Sequence, residues 1–395
     1  MRIVQLANLY SPVSGGLRTA VDRLGRGYVE AGHERALVVP GREFTRTETD
    51  GGLVVTVPGP SVAPGYRFVL DPRPVLRVLA GLDPDVIEVS DKATLTVAAR
   101  WARRRGVRSV LFSHERLDAI LAPRTPRWVP LETAADRWNR HLASAFDAIV
   151  VTSAFAAAEF ARVNAPSLHR VPLGVDLDTF HPAHADPAAA LATLSMLAKA
   201  GPAAAATEAL SANGEATAQA VSSEPVRLVH LGRLSTEKRP DIALGTVREL
   251  MRRGIAVHLD VVGDGPRSAA LEAIAEREDL PVWFHGHVPG RSEVAALLAN
   301  ADVALATCPV ESFGLAVLEA LACGTPVVAA DRGASHELLA PGAGVAVAPE
   351  DVAFADGVEQ LLRQPAALRR MSARARAERY PWDATVAGML EVLTA

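Results

Sequence analysis

Short runs of valine, isoleucine and leucine recur along the whole chain, and a longer amphipathic segment follows most of them. The runs do not alternate with polar residues, which is typical of parallel strands buried on both faces. This order of strand and helix predicts doubly wound α/β domains. The predicted strands are Arg2–Ala7, Ala36–Pro40, Val54–Val57, Val86–Val89, Val107–Phe112 and Ala148–Thr152 in the first half, and Arg227–Leu231, Val257–Val262, Val282–Phe284, Val303–Ala306 and Pro326–Ala329 in the second.

The segments between the predicted strands carry helical patterns. Leu17–Ala31 and Ala93–Arg105 are predicted helices of the first half. In the second half, Pro240 suits the first turn of a helix, an apolar stripe follows at helical spacing, and Gly254 ends it.

The segment between the two halves, residues 183–224, has a different composition. Seventeen of its 42 residues are alanine and none is aromatic. Such a composition buries too little apolar surface to offset its ordering entropy unless a helix forms and docks. We therefore predict a largely flexible interdomain insertion, in which Ala188–Lys199 is the stretch most suited to a helix.

Length and composition suggest where such a protein works. The chain has 395 residues, 49% of them apolar, which is enough for two domains. Cys308 and Cys323 lie in apolar segments and are predicted to be buried thiols in a reducing cytoplasm. Residues 1–7 run into a turn too early for a signal peptide, and no apolar run reaches the roughly 18 residues of a membrane span. We expect a cytoplasmic protein, either soluble or peripheral on the inner face of the plasma membrane.

The net charge of −4 is unevenly distributed. Residues 1–172 contain 23 lysines and arginines against 17 acidic residues, whereas the remainder contains 18 against 28. A basic half attracts anionic lipid, phosphate or nucleic acid, although charges scattered over solvated helices explain the excess equally well. Because the charges are dispersed and the total is acidic, a nucleic-acid binder is disfavoured.

The most specific motif runs from Glu311 to Glu319, two carboxylates separated by seven residues. Gly314 lies where a loop is predicted to turn into a helix, so the amides of Phe313, Gly314 and Leu315 would face outward and favour a phosphate. Glu319 would lie one turn inside and accept hydrogen bonds from sugar or ribose hydroxyls, with Glu311 in the preceding loop. The alternative is that both glutamates only complement the helix dipole.

Three shorter motifs follow other predicted strands. Arg233 and Lys238 suit a diphosphate clamp at a strand end. Gly15 and Gly16 follow the first strand, and their missing Cβ atoms let the backbone approach a phosphate closely. His114 ends another strand and would face the same cleft. Taken singly, these motifs are better explained by solvated surface cations, a simple turn and a surface or capping histidine.

Two other classes of site find little support. The strings Asp83–Asp85 and Asp176–Asp178 have the Asp-x-Asp spacing of some metal–diphosphate sites, but that spacing is common by chance and no metal is assigned. A nicotinamide oxidoreductase would need a G-x-G-x-x-G motif after the first strand, and Ser14–Arg18 does not supply one.

Because these four motifs occur in one order, each at a strand end, the chain resembles glycosyltransferase family 4. The resemblance covers nearly the whole chain except residues 183–224. It implies retention of anomeric configuration and two Rossmann-like, doubly wound parallel-sheet domains that face a cleft, the GT-B fold. The implied divisions are an N-terminal acceptor-side domain (1–172), a crossing with the alanine-rich insertion (173–224), a donor-binding domain (225–380) and a C-terminal helix returning to the N-terminal domain (381–395).

The resemblance also implies roles for the matching residues. Arg233 and Lys238 would hold the donor diphosphate, and Glu319 would bind the ribose. Glu311 would contact the transferred sugar, while His114 would lie by the reacting carbon. No catalytic metal or other cofactor is implied. The remaining donor-binding residues would be Gly15, Gly16, Phe313, Gly314 and Leu315.

Within the family, the N-terminal region resembles actinobacterial mannosyltransferases that act on phosphatidylinositol mannosides. The segments that carry this resemblance are Val4–Asn8, Ser14–Leu24, Glu88–Asp91 and Ser113–Asp118. It implies GDP-mannose as donor and a phosphatidylinositol-mannoside glycolipid as acceptor, with the basic half on an anionic membrane surface. The alternatives are a UDP-sugar-dependent transferase acting on a soluble small molecule and a non-catalytic nucleotide-sugar-binding scaffold.

Overall fold

The computed structural model of the protein describes residues 1–11, 15–63, 65–122, 125–126, 128–185 and 224–395. Ser14 lies outside the described residues. So does Ala188–Lys199, where the composition favours a helix, together with nearly all of the predicted flexible insertion.

The first half of the chain builds an eight-stranded sheet and a small hairpin. Its strands are β1 (Arg2–Leu6), β2 (Glu34–Gly41), β3 (Thr45–Thr49), β4 (Gly52–Pro58), β5 (Ser61–Ala63), β6 (Tyr66–Arg67), β7 (Val86–Val89), β8 (Arg108–Ser113), β9 (Ala148–Val151) and β10 (Leu168–Arg170). The sheet has the order β10-β9-β8-β7-β1-β2-β4-β3, while β5 and β6 pair separately. Neighbours in the large sheet are parallel except β3, an edge strand antiparallel to β4.

The second half builds a six-stranded sheet. Its strands are β11 (Val226–Leu231), β12 (Val257–Val262), β13 (Val282–Gly286), β14 (Val303–Ala306), β15 (Val327–Ala330) and β16 (Gly344–Val347). The order is β13-β12-β11-β14-β15-β16, and all neighbours are parallel.

Helices connect the strands of both sheets. They are α1 (Gly16–Glu30), α2 (Arg73–Leu82), α3 (Val97–Arg103), α4 (Leu117–Leu121), α5 (Leu131–Ala145), α6 (Ala154–Ala161), α7 (Pro240–Arg252), α8 (Ser268–Arg277), α9 (Arg291–Asn300), α10 (Leu315–Ala322), α11 (Asp351–Leu362), α12 (Ala366–Ala377) and α13 (Trp382–Thr394). One-turn 3-10 helices lie at Thr94–Thr96, Pro182–His184, Thr236–Lys238 and Ser335–Leu338.

The central strands are buried on both faces, as their continuous apolar runs predict. In β1, Ile3 packs into the cluster on one face and Val4 into the cluster on the other, because successive side chains of a strand point to opposite faces. The predicted fold class, two doubly wound parallel sheets, is confirmed.

Each sheet contains one point at which the strand order reverses. In the first sheet it lies between β1 and β7, and in the second between β11 and β14. Ligands of doubly wound sheets bind beyond the carboxyl ends of the strands at this point, because the loops there diverge and leave a crevice. The loops after β1, β11 and β14 carry the glycine pair, Arg233 with Lys238, and Glu311.

The last helix packs against the first half of the chain. A Cβ atom on Gly27 of α1 would lie 2.3 Å from Val386 of α13, so a glycine is needed where the two helices cross. The Arg108 guanidinium donates to the Val392 carbonyl at 2.9 Å, and Thr385 donates to the Pro172 carbonyl at 3.0 Å. The predicted limits of the domains themselves stay a prediction.

Each of the eleven predicted strands is present, with bounds that differ by at most two residues. The prediction of one helix over Ala93–Arg105 is wrong in its first part. The 3-10 turn Thr94–Thr96 precedes the shorter α3, and the Asp91 carboxylate accepts a hydrogen bond from the Leu95 amide at 2.8 Å at this turn.

Candidate active site

Lys238 and Glu311 form an ion pair at the reversal point of the second sheet. The Lys238 Nζ atom donates to Glu311 Oε2 at 2.5 Å, and the two side chains are 30% and 25% exposed. Burial alone would lower the pKa of Lys238, but the Glu311 carboxylate beside it holds that pKa above its ordinary value. Lys238 is therefore a fixed positive charge that a bound diphosphate can use.

The loops that carry this pair are tied to each other by hydrogen bonds from side chains of one loop to backbone carbonyls of the other. Thr307 donates to the Lys238 carbonyl at 2.8 Å, and the Cys308 thiol donates to the Glu237 carbonyl at 3.3 Å. A third loop closes on them at Gly263, which has a φ of +137°. A Cβ atom there would lie only 2.0 Å from the Gly232 carbonyl oxygen. The loop of Gly263 thus packs directly against the backbone of Gly232, the residue before Arg233.

The predicted turn from loop to helix at Gly314 is confirmed. Gly314 has a φ of +101°, caps α10 and leaves Leu315 as the first helical residue. The preceding loop rests on a neighbouring segment, because the Ala334 amide donates to the Glu311 carbonyl at 2.7 Å. The first amides of α10 therefore stand at a supported helix N-terminus, which favours an anion.

Glu319 lies inside α10 with a side chain only 16% exposed. Burial raises its pKa to about 7, with a smaller lowering by Arg291 and a smaller raising by Asp176. The Arg291 guanidinium lies 3.7 Å from the Glu319 carboxylate and 4.9 Å from the centre of the Phe180 ring. Glu319 is thus poised to change charge near neutral pH.

Glu319→Gln is expected to stabilise the unliganded protein at pH 8 more than at pH 5. Because folding raises the Glu319 pKa, the native state holds the proton where the unfolded state has lost it. Stability is therefore lost as pH rises from about 4.5 to 7, by up to roughly 3 kcal/mol. Thermal denaturation at both pH values measures this, with the exposed Glu272→Gln as control. An equal change in Tm at the two pH values would contradict the expectation.

His114 follows β8 with its imidazole packed edge-on against Phe112, the ring centres 4.1 Å apart. Its Nε2 atom is buried and has no hydrogen-bond partner among the described residues. Burial lowers the His114 pKa to about 3, and the positive charge of Lys92 contributes to the lowering. A neutral imidazole whose buried Nε2 atom lacks a partner among the described residues can form a hydrogen bond with a hydroxyl group of a ligand. This argues against a merely solvated surface histidine.

A buried ion pair that sequence reasoning missed anchors the loop of His114. Lys92 pairs with Glu159 of α6, and both side chains are less than 10% exposed. Lys92 also donates to the Glu115 carbonyl at 2.6 Å, and Glu159 accepts from the Leu117 amide at 3.2 Å. Because Lys92 and Glu159 are 67 residues apart, no local motif reveals them.

Elements of both halves meet around the predicted donor site. A Cβ atom on Gly16 at the start of α1 would lie 3.5 Å from Leu315 at the start of α10, while Gly15 faces open space. The Arg233 guanidinium lies 5.5 Å from the centre of the Tyr66 ring in the hairpin of the first half. The structure thus brings Gly16 to Leu315 and Lys238 to Glu311.

His114 is related to the donor side through its neighbour. Burial raises the pKa of Glu115, the residue after His114, and the positive charges of Lys92 and, more weakly, of Lys238 oppose this rise. The roles predicted for these residues stay predictions.

The described residues contain neither a cluster of metal ligands nor a membrane-spanning helix. No group of three or more histidine, cysteine or acidic side chains converges as a metal site in the described ranges. Asp176 of the second Asp-x-Asp string bonds to Arg23 and to the Thr179 hydroxyl. None of the helices that the structure describes has the length and apolar character to cross a bilayer.

Comparisons with known proteins agree with this arrangement. The family model described as Glycosyltransferase Family 4 matches residues 14–179, and the one described as Glycosyl transferases group 1 matches residues 215–378. A "GDP-mannose-dependent alpha-(1-6)-phosphatidylinositol dimannoside mannosyltransferase" from Mycobacterium tuberculosis is 40% identical, covering 100% of this chain and 96% of that protein. The chain belongs to glycosyltransferase family 4.

Other relatives agree on the family and on the fold. A "GDP-mannose-dependent alpha-mannosyltransferase" from Mycobacterium tuberculosis is 28% identical over 86% of this glycosyltransferase and 82% of its own length. Among solved structures, a sucrose-phosphate synthase from Thermosynechococcus elongatus superposes with a TM-score of 0.74 at 18% identity, over 100% of this chain and 98% of that one. Anabaena HepE gives the same TM-score at 19% identity, over the whole of both chains. These structures confirm the GT-B fold.

Proposed function

We propose that this glycosyltransferase transfers mannose from GDP-mannose to a phosphatidylinositol-mannoside-type glycolipid. The observation that carries the proposal is the 40% identity, over the full chain, to a relative whose name states that donor and that class of acceptor. The 28% identical relative is also named for GDP-mannose.

In this proposal the second half holds the donor. Arg233 and Lys238 bind the diphosphate, with the first amides of α10 beside it. Glu319 accepts hydrogen bonds from the ribose hydroxyls in its ionised form. Its pKa of about 7 means that nucleotide binding near neutral pH releases a proton. Glu311 contacts the transferred sugar, and the vacant Nε2 atom of His114 bonds one of its hydroxyls.

The reaction proceeds with retention and, in our proposal, without a covalent enzyme intermediate. Glu311 is held in an ion pair with Lys238, which makes its carboxylate a poor nucleophile. The bond between the anomeric carbon and the diphosphate oxygen breaks while the acceptor oxygen bonds to that carbon from the same face. The acceptor proton passes to the leaving diphosphate, whose charge Arg233 and Lys238 stabilise. No step requires a metal ion.

The proposed acceptor places the first half on the cytoplasmic face of an anionic membrane. This half contains the excess of basic residues. A cavity beside the edge strand β3 combines exposed Arg46 and Arg77 with Phe44, which is 53% exposed. Cations flanking an exposed aromatic ring suit the phosphate and acyl region of a bilayer surface.

A donor screen tests the proposal. The purified protein is incubated with GDP-mannose, UDP-glucose, UDP-N-acetylglucosamine and UDP-galactose, with and without vesicles containing phosphatidylinositol mannosides. Of the four donors, we expect only GDP-mannose to stabilise the protein against heat and to be hydrolysed slowly. Turnover of GDP-mannose should be faster when the vesicles are added. Phosphatidylcholine vesicles serve as the control. Preference for a UDP-sugar with no effect of the vesicles would overturn both substrate assignments and leave the family unchanged.

A further inference from the structure

The end of β9 in the first half is bonded to the loop that carries Glu311. The Ser153 hydroxyl donates to the Ser312 carbonyl at 2.6 Å, and the Thr152 hydroxyl donates to the same oxygen at 3.1 Å. Ser153 and Thr152 are 3% and 2% exposed, so these contacts are shielded from water. Two hydroxyls from one half therefore hold a backbone atom next to a predicted site residue of the other half.

A second contact from the second half of the chain reaches α6, the helix that begins directly after Ser153. The Glu337 carboxylate accepts the backbone amides of Ala154 and Phe155, the first residues of α6, each at 2.8 Å. Both oxygens are used, and the carboxylate lies at the positive end of a helix, which strengthens charge-assisted hydrogen bonds.

Glu337 is joined to the donor loop on its own side of the cleft. It lies in the 3-10 turn Ser335–Leu338, directly after Ala334, whose amide bonds to the Glu311 carbonyl at 2.7 Å. Arg376 of α12 holds this turn in place by donating to the Glu337 carbonyl at 2.9 Å and to the Leu338 carbonyl at 2.7 Å. The Glu337 contact and the Ser312 contact therefore both end at the loop of Glu311.

The same helix supports the loop of His114. Glu159 lies in the second turn of α6, where it bonds to the Leu117 amide and pairs with Lys92, which holds the Glu115 carbonyl. One short helix is thus bonded at its N-terminus to the donor loop and in its middle to the histidine loop.

We propose that Glu337 and Ser153 are positioning residues, whose contacts with α6 and Ser312 set the separation between His114 and the donor loop for sugar transfer. Residues of the second half bind most of the nucleotide in the proposed function, on which this inference rests. Transfer also needs the histidine of the first half. Loss of the contacts therefore lowers turnover much more than nucleotide affinity, because misplacing reacting groups costs rate without removing binding contacts.

The experiment compares Glu337→Ala and Glu337→Gln with the wild type and with Glu272→Ala, an exposed glutamate on α8. Three quantities are measured: the Kd of GDP, or of the nucleoside diphosphate of whichever donor the wild type turns over, by calorimetry; kcat and KM for the donor; and hydrogen exchange of the peptide covering residues 152–161. Turnover is assayed with GDP-mannose, or with whichever nucleotide sugar the wild type turns over. Failure of the donor assignment thus remains distinguishable from failure of the positioning role.

For Glu337→Ala we expect kcat at least tenfold lower, a Kd of GDP within about twofold of wild type, and faster exchange of the first α6 amides. Glu337→Gln keeps one accepting oxygen, so its kcat is expected to lie between those of Glu337→Ala and the wild type. Unchanged kcat, or an equal loss of GDP affinity and turnover, overturns the proposal. If Glu337→Ala does not fold, Ser153→Ala is measured in the same way, with the same split between kcat and Kd expected.

Discussion

Replacing Lys238 with alanine is expected to lower kcat/KM for sugar transfer by about 10²–10³-fold and to weaken GDP binding, while the chain stays folded. Lys238 is a fixed cation 2.5 Å from Glu311, and its raised pKa keeps it charged throughout the working pH range. Its loss removes the charge that stabilises the departing diphosphate. It also leaves the Glu311 carboxylate repelling that diphosphate.

Steady-state kinetics and calorimetric titration with GDP measure this effect. Lys238→Met keeps the apolar stem without the charge and is expected to behave like the alanine variant. Arg248→Ala is the matched control, because it removes a half-exposed cation of α7 that pairs with Glu278 at 2.5 Å. Wild-type turnover in Lys238→Ala would remove this residue from the site.

Replacing His114 with alanine is expected to reduce kcat by about 10²–10³-fold, with GDP affinity within about twofold of wild type. The Nε2 atom of His114, which has no hydrogen-bond partner among the described residues, belongs to the first half, whereas most of the proposed nucleotide contacts belong to the second. His141→Ala, an exposed histidine of α5, is the control. Retained binding without turnover would also exclude a non-catalytic scaffold, whereas full turnover would show that the imidazole does not contact the reacting sugar.

The pH dependence of the wild-type reaction rate tests whether the His114 imidazole stays neutral during the reaction. Since burial lowers its pKa to about 3, the imidazole is neutral from pH 5 to 9 and contributes no break to the rate profile there. A break near 6.5 that disappears in His114→Ala would contradict this assignment. The unfolded chain binds a proton at His114 below about pH 6.5, so this residue lowers stability as pH falls from there towards 3. The alanine variant should therefore lose less stability on acidification.

The elements themselves were largely predictable because their patterns are local. Apolar runs located the central strands, and the glycine at position 314 located the start of α10, since only a residue tolerant of φ near +101° fits there. The strands that pattern reasoning missed are β3, β5, β6, β10 and β16. β3 is a polar edge strand whose residues are mostly exposed, so no apolar run marks it.

The two doubly wound sheets, the family and the residues at the strand ends were predictable, because each depends on a short pattern of residue types. How these residues meet depends on the tertiary structure. Lys238 pairs with Glu311, which is 73 positions away in the chain, and Glu337 bonds to α6 across 183 positions. The raised pKa of Glu319 depends on the packing around its side chain. Such contacts arise from strand order and helix packing, which no local pattern encodes.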